Sequence, residues 1–447
     1  MKVNTALNNR FVSNMLGLDR SKPPKSEEIK HIWLPEVTNF QLSNGVKVYC
    51  IDNAPLDITR LDIVVQAGFW YQNKPLVASF TNSMLDEGTS NYTSAQIAEK
   101  FDFHGAHLKV EPGRHAAAIV VHSLTHHLPE LYPILADLLK NSIFPEKEFQ
   151  TIVANRRQSY VVGSQKVAVV AERDFSALLY GEEHPYGIQA TLADFNKVTP
   201  QDLAAFYHTR YLPQHTYIIV SGKVPTDLQL QLEQYFGQAE WHTQQPNEAL
   251  KAYQANTELN QYTGRKLFAY HENAKQTAVR MGILTPNRSH EDYMALRIAS
   301  TAIGGYFGSR LMKSIREEKG YTYGIGSYLE TSPISGSFQI STEVGAEVAH
   351  LAVDEIYEQL YRFLEKPMGE NELTQVRNYI MGEFLRNFDG PFSHASILRN
   401  ALTYKRSFDG VNKDLQIIRE ITATQIWEVA NKYINPSEIT EMLVGRF

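Results

Sequence analysis

The feature that most restricts this chain is an echo within it. The stretch V-T-P-Q-D-L-A-A-F-Y-H-T-R-Y-L-P-Q-H-T-Y-I-I-V-S-G, ending at Gly222, resembles I-T-A-T-Q-I-W-E-V-A-N-K-Y-I-N-P-S-E-I-T-E-M-L-V-G, ending at Gly445. Thr199 stands against Thr422 and Pro213 against Pro436, both at an offset of 223 residues (422 − 199 and 436 − 213). Each copy reads as a helix followed by a buried strand, and in the first copy Pro200 suits the opening turn. A constant offset favours internal duplication over chance likeness. The chain should therefore be two copies of one α+β fold, about 200 residues each.

The rest of the chain fits that division. Residues 1–32 are polar and read as an N-terminal extension with one short helix; a first α+β domain follows over 33–237. Within it, Asn44-Gly45 marks a turn before the strand V-K-V-Y-C-I, and R-L-D-I-V-V-Q-A-G reads as a neighbouring strand. A helix is expected over 76–87, a second capped by Ser94 and ended by Gly105, then a hairpin, then Leu-rich helices from Pro129 to Leu179. Residues 238–264 turn to Gln, Asn and Thr with little periodicity, as a linker would. A second α+β domain is expected over 265–447.

Composition excludes several roles. A net charge of −6 and a pI near 6.2 give no electrostatic reason to expect nucleic acid or an anionic membrane as partner. The single cysteine, Cys50, rules out an intramolecular disulfide and sits in a strand pattern, where it should be a small buried hydrophobe. Asn4, Asn8, Asn9, Arg10 and Asn14 interrupt any apolar run near the start, so neither a signal peptide nor a transmembrane segment is read, and a cytoplasmic location is expected.

Chemistry concentrates in two places. In the second half, R-L-M-K-S-I-R-E-E-K-G-Y-T-Y-G reads as a helix, a stop at Gly320 and a strand, which sets Arg316 and Tyr323 on either side of a tight turn. On local pattern alone, Arg316 complements a helix dipole and Tyr323 packs half-buried in a sheet. In the first half, the helix after the second strand carries S-F-T-N-S-M-L-D-E-G. Asp86 and Glu87 near its end read as a solvated face. His104 and His107 have ligand spacing, but Gly105 between them ends the helix and should make them diverge. His122, His126 and His127 lie where a strand leaves its sheet, and the H-E pairs at His271 and His290 lack a second histidine at metal-ligand spacing.

Taken together, R-L-D-I-V-V-Q-A-G, S-F-T-N-S-M-L-D-E-G-T-S-N-Y-T-S-A-Q-I-A, H-P-Y-G at His184 to Gly187, and L-M-K-S-I-R-E-E-K-G-Y-T-Y resemble the pitrilysin (insulinase) family of inverted zinc peptidases. The likeness is to its short bacterial, mitochondrial-processing-peptidase-like branch and covers nearly everything after residue 36. It implies two metallopeptidase-like domains forming half of a clamshell. In active members H-x-x-E-H supplies two zinc ligands and a general base; the register fixed by Gly68 and Gly88-Thr89 puts Ser79 and Ser83 at the histidines and Asn82 at the glutamate. The third ligand, a Glu about 75 residues on, falls near Ser159. Hydroxyls and an amide hold zinc poorly, and Asn82 accepts no proton from water, so no zinc is expected in this chain. Arg316, Gly320 and Tyr323 match the R-x-x-x-G-x-x-Y setting that, in the family, reaches across to the zinc site. The resemblance thus implies a zinc-free subunit that lends Arg316 and Tyr323 to a zinc-bearing homologous partner in a heterodimeric endopeptidase acting on peptides. The alternative is a scaffold or peptide-binding protein of the same fold with no part in hydrolysis.

Overall fold

The computed structural model describes residues 32–54, 56–239, 241 and 263–446. The expected extension over 1–32 and linker over 238–264 fall almost wholly outside these residues.

Two sheets organise the chain. The first contains β1 (Thr38–Gln41), β2 (Lys47–Asp52), β3 (Ile58–Val65), β4 (His107–Glu111), β5 (Ala117–Leu124) and β6 (Thr216–Gly222), in the order β1-β2-β6-β3-β5-β4. The second contains β7 (Lys266–Tyr270), β8 (Gln276–Thr285), β9 (Thr322–Thr331), β10 (Gly336–Gly345) and β11 (Thr440–Gly445), in the order β7-β11-β8-β10-β9. Apart from β1 the orders correspond strand for strand. In each, one parallel pair (β2 with β6, β7 with β11) meets a run of antiparallel partners. The duplication read from 198–222 and 421–445 is therefore a duplication of topology.

The local chemistry repeats too. Thr199 and Thr422 each cap a helix, Pro200–Arg210 and Ala423–Tyr433, through a capping box closed by Asp202 and Gln425 respectively. Pro213 and Pro436 each start a short 3₁₀ turn that leads into β6 and β11. Two boundaries differ from expectation. The helix expected over 76–87 runs only from Val77 to Ser83, and the next is capped by Thr93, because Gln96 sits three residues beyond it and returns its side chain to the Thr93 backbone.

The central strands show how the halves are joined. All but the first residue of β3 is buried, so both faces of the sheet must be covered. One face packs on helices of its own half, in a core that includes Leu61, Ile63, Phe80, Leu135, Tyr207 and Phe236. The other receives a helix from the far half. Pro391–Thr403 lies against β2, β3 and β6, with Ala395 and Leu398 packed on Ile51 and Ile219. Reciprocally, Val167–Tyr180 lies against β8 and β11, with Ala171, Phe175 and Leu178 packed near Ala278, Met442 and Val444.

An arginine fastens each exchanged helix. On β3, Arg60 forks onto Asp62 at 2.6 and 2.7 Å and donates to Phe392 O and Ser396 Oγ, both at 2.9 Å. On β8, Arg280 pairs with Glu172 at 3.0 Å and Glu343 at 2.9 Å and reaches Ala168 O at 3.4 Å. Among the described residues no helix is long and apolar enough to cross a membrane.

Candidate active site

The first-half site is built on the short helix Val77–Ser83, which leaves Leu76 in the left-handed region at φ 75°. That conformation is uncommon for a branched aliphatic residue and is held here by the packing around it. Phe80 anchors the helix, fully buried and 6.1 and 6.2 Å from the rings of Phe149 and Phe195. Asn82 also turns inward: it is fully buried, its Nδ2 lies 3.5 Å from the Tyr211 hydroxyl, and its Oδ1 is unpartnered among the described residues. Ser79 and Ser83 share the face turned to the neighbouring helix Glu146–Gly163.

What meets them is Arg156. Its Nη1 donates to Ser79 Oγ at 3.3 Å, its Nη2 donates to Ser83 Oγ, and its guanidinium carbon lies 4.8 Å from the centre of the Phe80 ring. Burial draws its pKa below the ordinary value, yet a guanidinium keeps its proton in a protein. Ser159, expected near the third ligand position, is exposed and donates to Asn155 O at 2.9 Å. The structure brings Ser79 and Ser83 together, sends Asn82 into the core, and substitutes Arg156 for Ser159 as the residue facing them. Two hydroxyls around a fixed cation do not fit zinc, since the guanidinium repels it and supplies no lone pair. Among the described residues no group of three or more His, Cys, Asp or Glu side chains is placed to hold a metal ion.

Nearby, Asp86 departs from the solvated face expected of it. It is half-buried, and burial, with Glu87 adding to it, pushes its carboxyl up to about 6. The histidines diverge as expected: His104 ends its helix beside His127, while His107 starts β4 beside His122.

In the second half, the expected helix before Gly320 closes in π-type turns over Met312–Glu318. Lys319 N donates to Ser314 O, five residues back, and Tyr321 N to Ile315 O. Gly320 takes φ 67°, as the cap position requires. Glu355 pins the turn from the helix Ala349–Glu365, accepting from Ser314 and pairing with Lys319 at 3.0 Å. Arg316 stacks over Phe307 at 4.7 Å and has no carboxylate in ion-pair range among the described residues.

Tyr323 lies on β9, the outer edge of its sheet. Thr342 pairs with Ile325 and Val344 with Thr322, so Tyr323 and Gly324 together stand opposite Glu343. Such a bulge breaks the ladder locally and re-aims a side chain. Tyr323 is 94% exposed, against the half-buried packing that strand alternation suggested. The structure thus places Arg316, partly exposed, in the π-type turns before Gly320 and Tyr323, exposed, on the edge strand after it.

With this geometry in view, the likenesses to known proteins are informative. The description "Insulinase (Peptidase family M16)" matches residues 47–186 and "Peptidase M16 inactive domain" matches 197–380. Together they span well over half of the chain, and the protein belongs to peptidase family M16, the pitrilysin or insulinase family. A Rickettsia felis protein named as an uncharacterized zinc protease is 24% identical over 91% of this chain and 98% of its own length. The mitochondrial-processing peptidase subunit beta of Caenorhabditis elegans is 22% identical over 93% of this chain and 91% of its own. Among solved structures, a peptidase M16 inactive domain from Pseudomonas fluorescens superposes with a TM-score of 0.82 at 22% identity, covering 92% of this chain and 98% of that one.

Arg156 escaped the sequence reading. Counting along the chain from Ser83 led to Ser159, one helical turn away. The available signal was the basic pair Arg156-Arg157 in a helix where an acidic ligand was sought.

Proposed function

We propose that this chain is the zinc-free subunit of a heterodimeric zinc endopeptidase, with duplicated units at 33–237 and 265–447. Its own first-half site, closed by Arg156, performs no hydrolysis. Arg316 and Tyr323 serve the active site of a zinc-bearing homologous subunit: the guanidinium holds a backbone carbonyl of the peptide, and the phenol donates to the oxyanion as it forms. The observation that carries this reading is the near-complete exposure of Tyr323, seven residues after an Arg316 with no carboxylate in ion-pair range among the described residues, on either side of a turn that Glu355 pins through Ser314 and Lys319. A scaffold has no use for such a preorganised pair of donors.

The test is reconstitution with a homologue from the same organism that carries H-x-x-E-H. That homologue should gain peptidase activity on mixing, and Tyr323→Phe should lower kcat of the assembled enzyme by about 10²-fold with assembly intact on size-exclusion chromatography. Wild-type kcat from a correctly assembled Tyr323→Phe complex would leave the scaffold as the better account.

A further inference from the structure

A second cavity, of about 570 Å³, opens in the second half. Its walls come from the helix Tyr293–Ser300, the C-terminal end of Glu370–Asn387, the exchanged helix Pro391–Thr403 and the chain that follows it. Among the described residues four arginines line it (Arg288, Arg297, Arg386 and Arg406), and no aspartate or glutamate does. Two of the four are neutralised from behind. Arg297 stacks on Phe384 at 4.8 Å and meets Glu383 at 3.3 Å, and Arg406 meets the buried Asp414 at 2.6 Å. The other two have no carboxylate in ion-pair range among the described residues. Arg288 donates to the neutral Asn400 Oδ1 at 2.9 Å, and the Arg386 side chain has no hydrogen-bonding or charged partner among the described residues.

The first-half cleft lined by Ser79, about 740 Å³, is built the opposite way. It too is walled by an exchanged helix, Val167–Tyr180, and it too presents arginines. There Arg114 pairs with Glu330, Arg173 with Asp174, and Arg280 with Glu172 and Glu343. Positive charge is closed off in one half and left open in the other. Aromatic surface accompanies the open charge, since Tyr293, Phe384 and Phe388 line the same cavity. The volume is that of a small-molecule site, and planar guanidinium forks match the paired oxygens of carboxylate or phosphate.

We propose that this cavity is a binding site for a small organic dianion, carrying carboxylate or phosphate oxygens on an aromatic body. Arg288 and Arg386 hold the oxygens, and Tyr293 and Phe388 flank the ring. The site is independent of Arg316 and Tyr323 and does not require a peptidase partner.

Isothermal titration of the full chain with phenyl phosphate, benzene-1,3-dicarboxylate and benzyl alcohol tests it. One or both anions should bind below about 1 mM and the neutral alcohol should not; which anion binds identifies the oxygen-bearing group. Arg288→Ala and Arg386→Ala should each weaken binding about 10-fold or more, and Arg386→Lys should recover only part, because the fork is lost. Neither side chain is deeply buried, so circular dichroism should be unchanged in all three variants. Absence of heat from both anions up to about 10 mM, equal binding of benzyl alcohol, or full affinity in the Arg288→Ala, Arg386→Ala double variant overturns the proposal.

Discussion

Replacing Arg60 by Met tests how the two halves are held together. The substitution keeps the length of the buried stem but removes the fork onto Asp62, whose side chain is wholly buried, and both donations to the helix Pro391–Thr403. Taking one partner from a buried ion pair costs about 3–5 kcal/mol, because the other charge stays buried without its counter-ion. Arg399 Nη1, 3.5 Å from Asp62 Oδ2, offsets part of that, so about 3 kcal/mol is expected. Removing both charges should cost less than removing one. In Arg60→Met, Asp62→Leu the links to Phe392 O and Ser396 Oγ and the long Arg399–Asp62 contact are missing, while Arg399 keeps Glu111 at 3.0 Å, so the loss should be about 1–2 kcal/mol. Urea unfolding followed by tryptophan fluorescence gives both values, provided the slopes match. A single variant that loses less than about 1 kcal/mol, or a double variant less stable than the single, refutes the view that the buried Asp62 depends on its strand neighbour Arg60.

Three further outcomes follow from named groups. Burial, with Asp52 nearby, pushes the Cys50 thiol up to about 11, so it should resist a thiol reagent at pH 8 until the protein unfolds; stoichiometric labelling of the native chain counts against this burial. Burial, aided by Arg114, holds His115 down to about 4. Its contribution to stability is therefore full above pH 6.5 and lost as pH falls toward 4, and His115→Phe should show a smaller drop in urea midpoint between pH 7 and pH 5 than wild type; an equal drop excludes His115 as a cause. For metal, elemental analysis after zinc loading and desalting should find none held in the first-half cleft. Ser79→His, Ser83→His should gain little while Arg156 remains, whereas adding Arg156→Glu should give one zinc per chain. Tight binding by the two-histidine variant would remove the blocking role of Arg156.

Much of this was legible from residues whose effects are local. Thr199 and Thr422 each close a capping box, Gly320 takes the positive φ its place after a helix demands, and Cys50 is buried in a strand because its neighbours alternate. The exchange of helices was not legible, and the reason is physical. Ala171, Phe175 and Leu178 make an apolar stripe that reads the same whichever sheet it covers, and only long-range packing decides. The exposure of Tyr323 was hidden similarly, because alternation assumes a continuous ladder and the bulge opposite Glu343 interrupts it.

Arg156 joins the two kinds of information. The family resemblance implies that two serines and an asparagine stand where a metal site would need histidines and a carboxylate, which by itself describes only a loss. The structure places a guanidinium between those serines, in contact with Ser79 Oγ and Ser83 Oγ and stacked on Phe80. A fixed positive charge there has the sign of a metal ion and satisfies hydroxyls that would otherwise face each other without a shared donor. It cannot accept electron pairs or activate water, so it keeps the electrostatics of an occupied site without its chemistry. On this argument the absence of ligands and the presence of Arg156 form one unit. Either reverted alone leaves the site incoherent: histidines beside a guanidinium, or a carboxylate beside two hydroxyls. Only a joint change should restore metal, and for that reason the three-residue variant is the informative one.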